Sequence, residues 1–363
     1  MIKPTVILNY LLKENLISFF IIFTFCCFLF FTVDFIELLR RSSSKNIPIS
    51  LIFKITFLHL PSLLPIILPT VFLLCSMNTF MKLNKNSELS IMRSSGLSIW
   101  FFMFPAILNC LIITILYISF FNPIFSQMHI KFKSYEGSLF KGSTGLHEIS
   151  PTGLWLREIN QSNEFVINAT HYSPGDNKLR NVIIFEFSDD GLFKRRIDAD
   201  EVLMSEKNWQ LIKVSVAKIN QTPVYYEEMD IDFKLSIKKI EQNFRSPETI
   251  NFWNLKKYIR SLEESGFTAK KHNIYFNYLL SFPLIVITMV LLGCILSIRK
   301  ERKKKQYLNI LIGIILGILF HFLTDITRTI GQNGDLSVFF AVWGVPIIAI
   351  SILLGFLIHI EDG

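Results

Sequence analysis

The stretch LISFFIIFTFCCFLFFTV, residues 16–33, decides the class of this fold. It holds no charge, glycine or proline. As a helix rising about 1.5 Å per residue it nearly fills the ~30 Å hydrocarbon core of a bilayer. Lys3 and Lys13 precede it, yet the apolar run is too long for the h-region of a signal peptide and no small-residue cleavage pattern follows, so it reads as a retained membrane helix. The same test applied along the chain finds six spans, at about 16–38, 54–80, 99–122, 273–298, 306–326 and 337–360. Phenylalanine occurs 35 times in 363 residues, well above its use in water-soluble chains, and the excess lies at the two ends of the sequence. Cys26, Cys27, Cys75, Cys110 and Cys294 all fall inside the spans, so the polar middle of the chain must fold without disulfides.

A net charge of +8 raises the question of nucleic acid, but the sharpest basic cluster is Arg299, Lys300, Arg302, Lys303, Lys304 and Lys305, which joins the fourth and fifth spans. Its reading is topological: short loops rich in Lys and Arg stay in the cytoplasm. Parity then puts both termini and the loop at about 81–98 on the cytoplasmic side and the middle of the chain outside. The connection after the first span violates this rule with Arg40, Arg41 and Lys45. Snorkelling of long basic side chains to the interface is one explanation. The other is that these charges meet a strongly anionic ligand such as a phosphorylated lipid head group. Lys131 and Lys133, placed just after the third span is expected to end near Pro123, lie on the same side and would extend that rim.

From about 128 to 250 the pattern changes to a period of two, clearest in NVIIFEFS from Asn181 and WQLIKVSV from Trp209. Such alternation predicts half-buried antiparallel strands, with turns at SPGDN from Ser173, DDG from Asp189 and EKN from Glu206. An amphipathic helix over about 251–265 follows, with Phe252, Leu255, Tyr258, Ile259 and Leu262 on one face and Gly266 as its C-cap. The expected fold is a membrane α-helical protein of six transmembrane helices with an inserted all-β, jelly-roll-like domain. Residues 1–122 supply three helices, 123–270 the β-domain and its connecting helix, and 271–363 the last three.

No catalytic constellation is visible. His129, His147 and His171 lack metal-ligand spacing. The segment from Gly137 to Thr144 resembles a phosphate loop but has no lysine before its hydroxyl residues and opens no strand-to-helix unit. The chain therefore reads as a non-enzyme with no cofactor or metal of its own, so energy for any driven process must come from another chain. Among ionisable residues within the spans, Asp34 and Glu37 lie one turn apart, with Glu37 spaced to meet Arg40 or Arg41. His321, Asp325 and Arg328 fall on one face of the fifth span, as a proton relay or as a neutralised polar stripe. In the second loop, NSELSIMRSSGLS from Asn86 predicts a short helix with Asn86 or Ser87 at its N-cap, Glu88 in its first turn and Gly96 at its end. Leu89 and Met92 share a face with Arg93 beside them. That face suits either a groove on a cytoplasmic partner or a helix lying flat on the membrane.

Ser87-Glu-Leu-x-x-Met-x-x-Ser-Gly, Gly153-Leu-Trp and Tyr258-Ile-x-x-Leu-x-x-x-Gly together resemble the LptF/LptG permease family of the lipopolysaccharide export ABC transporter. Ser95-Gly96 and Gly153-Leu-Trp-Leu-Arg are more similar to LptG than to LptF. The resemblance implies an inner-membrane heterodimer of the two paralogues on two copies of the ATPase LptB, which binds the ATP and Mg. That complex extracts lipopolysaccharide and passes it through periplasmic β-jellyrolls to LptC and LptA. It implies that residues 86–97 form the coupling helix seated in LptB, with Ser87, Glu88, Leu89, Met92, Arg93 and Gly96 its motif. It also implies that Arg40 and Arg41, with Lys133, face lipid A phosphates or inner-core sugars, and the rim of positive charge read above adds Lys45 and Lys131 to that site. This sequence departs from the family in placing Asp34 where a base can stand before the basic pair. The alternatives are the LptF subunit itself, or a membrane scaffold or sensor carrying a β-domain.

Overall fold

The computed structural model describes residues 4–43, 45, 47–141, 154–160, 163–173, 178–188, 191–205, 208–218, 221–231, 233, 246–264, 268–298 and 303–362. The chain divides into two compact units. The first comprises Met1–His129, Asn251–Trp253 and Lys270–Gly363, and the second Ile130–Ile250 and Asn254–Ala269.

The first unit is helical. Its elements are α1 (Pro4–Ser42), α2 (Ile49–Lys85), the short α3 (Glu88–Ser94), α4 (Ile99–Leu116), the start of α5 (Asn122–Glu136), the first residues of α6 (Phe252–Glu264), α7 (Lys270–Ser297), α8 (Lys303–Asn333) and α9 (Val338–Asp362). Six helices among the described residues are long and apolar enough to cross a membrane, as expected. They are not equivalent. Of the most apolar window, 61% is buried in α2 and in α7, against 11% in α1 and 17% in α8. The α2 and α7 pair is thus the packed centre, while α1 and α8 present apolar flanks that only lipid or another protein can cover.

The centre depends on a glycine. A Cβ at Gly293 of α7 would stand 2.0 Å from Ser76 Oγ and 2.6 Å from the Leu73 carbonyl oxygen of α2, so the backbones approach too closely for any side chain. Nearby, the buried Asn84 side chain donates to the carbonyls of Ser297 and Ile298, satisfying the open C-terminal end of α7. Gly293→Ala is expected to cost about 1–3 kcal/mol through overpacking, read as a lower thermal unfolding midpoint in detergent. Gly355→Ala, whose Cβ meets nothing within 4 Å, serves as the control that leaves the midpoint in place.

The third span does not end near Pro123. After α4 the chain passes through a π-helical turn at Tyr117–Phe121 and continues as α5, then a second π turn at Gly137–Lys141. A helical residue at position 123 would donate its N–H to Ser119, which proline cannot do. The Ser119 carbonyl instead accepts from Trp253 Nε1 at 3.0 Å, and the Asn122 side chain accepts the Phe252 backbone N–H at 2.7 Å. Trp253, which follows the inserted strands in the sequence, therefore takes the carbonyl that proline leaves open. Lys131 and Lys133 consequently lie on a helix, and the first strand among the described residues starts at Leu154 rather than near 128.

The second unit holds the inserted β structure. Strands β1 (Leu154–Asn160), β2 (Asn163–Ser173), β3 (Lys178–Ser188), β4 (Phe193–Met204), β5 (Trp209–Lys218) and β6 (Val224–Ile231) pair antiparallel in sequence order. The three predicted turns rest on residues 174–177, 189–190 and 206–207, which lie outside the described residues, while the strands on either side of each pair antiparallel. One face buries Ile167, Ile184, Ile197, Leu211 and Trp209, with Phe233 packed edge-on against Trp209 and Phe165. The alternation is not continuous. Asn181 and Lys213 have φ of 50° and 54°, and at each the side-chain alternation slips by one residue while the strand register runs on unchanged, so that Leu179 and Val182, or Leu211 and Val214, share the buried face. This crease opens a groove of about 630 Å³ on the opposite face, bordered by Asp198, Asp200, Lys213 and Tyr225. Gly153, Gly266, the 142–150 segment with its rejected phosphate loop and His147 lie outside the described residues.

Candidate functional site

The chemistry-bearing residues of the first unit gather at the two ends of α1. At its N-terminal end stands α3, whose Glu88 is held by two neighbours: Oε2 accepts from Tyr10 Oη of α1 and Oε1 from the Asn86 side chain, both at 2.9 Å. Ser87, one of the two expected N-cap residues, occupies that position with φ 61° and without a capping hydrogen bond from its side chain. The helix does close near Gly96, at φ 85°, where the Gly96 N–H bonds to the Arg93 carbonyl.

Leu89 and Met92 are turned the other way from the expected docking face. Leu89 is 2% exposed in the helical core and Met92 packs against that core. An apolar side chain that close to α2 gains more from burial inside its own chain than from water. The outward face carries Glu88, Ile91 and Ser95, with Ile91 66% exposed and Arg93 beside it. The signal is present in the sequence as the i, i+3, i+7 spacing of 88, 91 and 95, but helical periodicity alone does not say which of two stripes points inward.

The same end of the bundle is tied together by polar contacts. Glu14 pairs with Lys82, Asn78 Nδ2 donates to Ser18 Oγ at 3.1 Å, and Asn109 Nδ2 donates to the Leu12 carbonyl and to Asn15 Oδ1, each at 3.1 Å. The Glu361 carboxylate accepts the Ile99 backbone N–H at 3.1 and 3.3 Å, placing a negative charge at the N-terminus of α4. The first half of α1 is thus fastened to α2 and α4 by hydrogen bonds and charge.

The last turn of α1 forms the second cluster. Arg40 Nε and Nη2 donate to the two Glu37 oxygens at 3.0 and 2.9 Å, and Arg41 Nε donates to Glu37 Oε1 at 2.8 Å. The Arg40 and Arg41 side chains nevertheless stay 75% and 50% exposed. Lys45 is also exposed, just past the helix, with its backbone N–H on the Ser42 carbonyl. One turn earlier Asp34 meets His59 Nδ1 of α2 at 2.9 Å, so this acid is engaged within the bundle. Lys131 is exposed and Lys133 lies 3.5 Å from Glu136, both in the second unit. His321, Asp325 and Arg328 form a ladder with contacts of 3.3 and 2.8 Å, and the Arg328 guanidinium lies 4.6 Å over the Tyr278 ring. That arrangement is a charge-compensated stripe closed by an aromatic face. Arg299 through Arg302 lie outside the described residues, as do the side chains of Lys303, Lys304 and Lys305.

Between Tyr10 and Arg40 α1 is one uninterrupted helix, so the carboxylate of α3 and the two guanidiniums are joined by a single rod about 45 Å long at 1.5 Å per residue.

A family model described as lipopolysaccharide export system permease LptF/LptG matches residues 9–359, nearly the whole chain. No curated protein matches.

Proposed function

The chain belongs to the LptF/LptG family of lipopolysaccharide export permeases, and on that basis we propose that it is the LptG-type subunit of an exporter driven by a separate ATPase. It pairs with an LptF-type paralogue, and two copies of an LptB-type ATPase hydrolyse ATP below it. Both termini are cytoplasmic and the β unit periplasmic, handing lipid on to LptC and LptA. The LptG assignment is supported by Ser95-Gly96 and Gly153-Leu-Trp-Leu-Arg, and the orientation by the basic connection at 299–305.

The observation that carries the mechanism is the placement of two exposed guanidiniums at one end of α1 and of Glu88, hydrogen-bonded to α1, at the other. Guanidiniums recognise phosphate through paired charge-assisted hydrogen bonds. Arg40, Arg41 and Lys45 hold the phosphorylated end of the lipid, while its acyl chains lie along the apolar flanks of the helices. Burial of those chains at ~0.8 kcal/mol per methylene exceeds anything the ion pairs add, so the charges set capture and register. ATP-driven closure, received on Glu88, Ile91 and Arg93, then forces the lipid out of the membrane.

The test is purification of the complex from membranes followed by reconstitution. A stoichiometric ATPase whose activity rises with lipopolysaccharide supports the proposal. Reproducible absence of an ATPase supports a scaffold. Tyr10→Phe keeps the ring and removes only the bond to Glu88; lipid transported per ATP hydrolysed is expected to fall about two- to tenfold, the worth of one hydrogen bond. An unchanged ratio would exclude Tyr10 from the transmission path.

A further inference from the structure

We propose that Glu37 is a built-in competing anion that weakens the hold of Arg40 and Arg41 on phosphate, so that the captured lipid can be released. This rests on the reading of Arg40 and Arg41 as the lipid phosphate site. The geometry is specific. One carboxylate receives three N–H donors from two guanidiniums, at 2.8, 2.9 and 3.0 Å. Glu37 therefore occupies the Nε edge of both arginines and halves the charge of the cluster, from two positive to one.

A phosphorylated head group arriving there does not simply add to an open cationic site. It exchanges with a carboxylate that offers the same donors a planar, bidentate acceptor. Binding is thereby a swap of one anion for another, and release is assisted because the arginines have an acceptor waiting one turn away on the same helix. Two arginines on one turn with no internal anion would retain a lipid carrying two phosphates, which obstructs a transporter that must let go of each substrate. The contact is exposed, with Glu37 itself 36% exposed, so the swap needs no rearrangement of the bundle. A helix-end ion pair that only balanced local charge would need one arginine; here a single acid engages both.

The experiment uses the purified complex in nanodiscs of phosphatidylethanolamine and phosphatidylglycerol, with radiolabelled lipopolysaccharide as the probe and no ATP. Glu37→Gln, which keeps shape and removes the charge, is expected to bind the probe about two- to fivefold more tightly, the range of one exposed ion pair, with slower exchange against unlabelled lipid. Lipopolysaccharide stripped of its lipid A phosphates should show no such gain. Glu37→Asp, too short to span both guanidiniums, should fall between the wild-type protein and Glu37→Gln. The Arg40→Gln, Arg41→Gln double variant is measured in parallel. If it binds the probe as the wild-type protein does, the phosphate site itself is misassigned. If it binds less while Glu37→Gln binds equally or more weakly, the site stands and Glu37 only orients its arginines, which overturns this proposal alone.

Discussion

Reversing both charges, Arg40→Glu with Arg41→Glu, is expected to lower lipopolysaccharide crosslinking and lipid-stimulated ATPase activity by about 100-fold or more. The magnitude follows from losing two charge-assisted contacts worth ~1.5–3 kcal/mol each. The reversal also places three carboxylates, with Glu37, on the last turn of α1, where like charges at i, i+3 and i+4 repel. Fraying of the helix end then adds to the loss. The neutral double variant separates the two causes, since it removes the contacts without adding the repulsion. Basal ATPase activity of the complex reports whether assembly is intact. If crosslinking is unchanged in both double variants, the two arginines are interfacial residues that snorkel and nothing more.

Substitution of Glu88 is expected to have the second large effect, at the opposite end of α1. Glu88→Lys introduces a cation facing Tyr10 and Asn86 and inverts the charge presented toward the ATPase. Breaking a charge contact across an interface costs about 2–5 kcal/mol, or ~30- to 4,000-fold in binding. The expected outcome is a complex that loses its ATPase during purification, or that hydrolyses ATP without moving lipid. Glu88→Gln, which can still accept from Tyr10, should be milder in the ratio of transport to hydrolysis. A fully active Glu88→Lys complex would remove α3 from the coupling role. Ile91→Asp provides an independent reading of the same surface, because Ile91 is outward-facing while Leu89 is not. It should weaken ATPase association without lowering the unfolding midpoint, whereas Leu89→Asp should lower that midpoint by placing an unpaired charge in the core.

Much of this site is legible in the amino-acid order. The pairing of Glu37 with Arg40 and Arg41 depends only on helical spacing within one turn, and the bounds of α3 near Glu88 and Gly96 depend only on a first-turn acid and a left-handed glycine. The direction of the α3 faces is not legible there. Leu89, Met92 and Ile91 are all apolar, and the choice among them is made by α2 and the core it builds. Asp34 reads as an acid standing at a lipid site because its partner, His59, lies 25 residues away on another helix. The end of the third span is misplaced for the same reason: the group that takes the Ser119 carbonyl in place of Pro123 is Trp253, 134 residues along the chain.

Local patterning thus specifies the six spans and the inserted strands, since each is set by hydrophobicity and periodicity within a few neighbouring residues. It specifies equally the basic pair Arg40 and Arg41 and the acid that meets it. Long-range packing settles the remainder: it makes α2 and α7 the centre and leaves α1 at the rim. It also carries the third span past Pro123, shifts the strand alternation at Asn181 and Lys213, and joins Tyr10 to Glu88. Those outcomes depend on atoms brought together from distant parts of the chain, whose contacts leave no local periodicity to read.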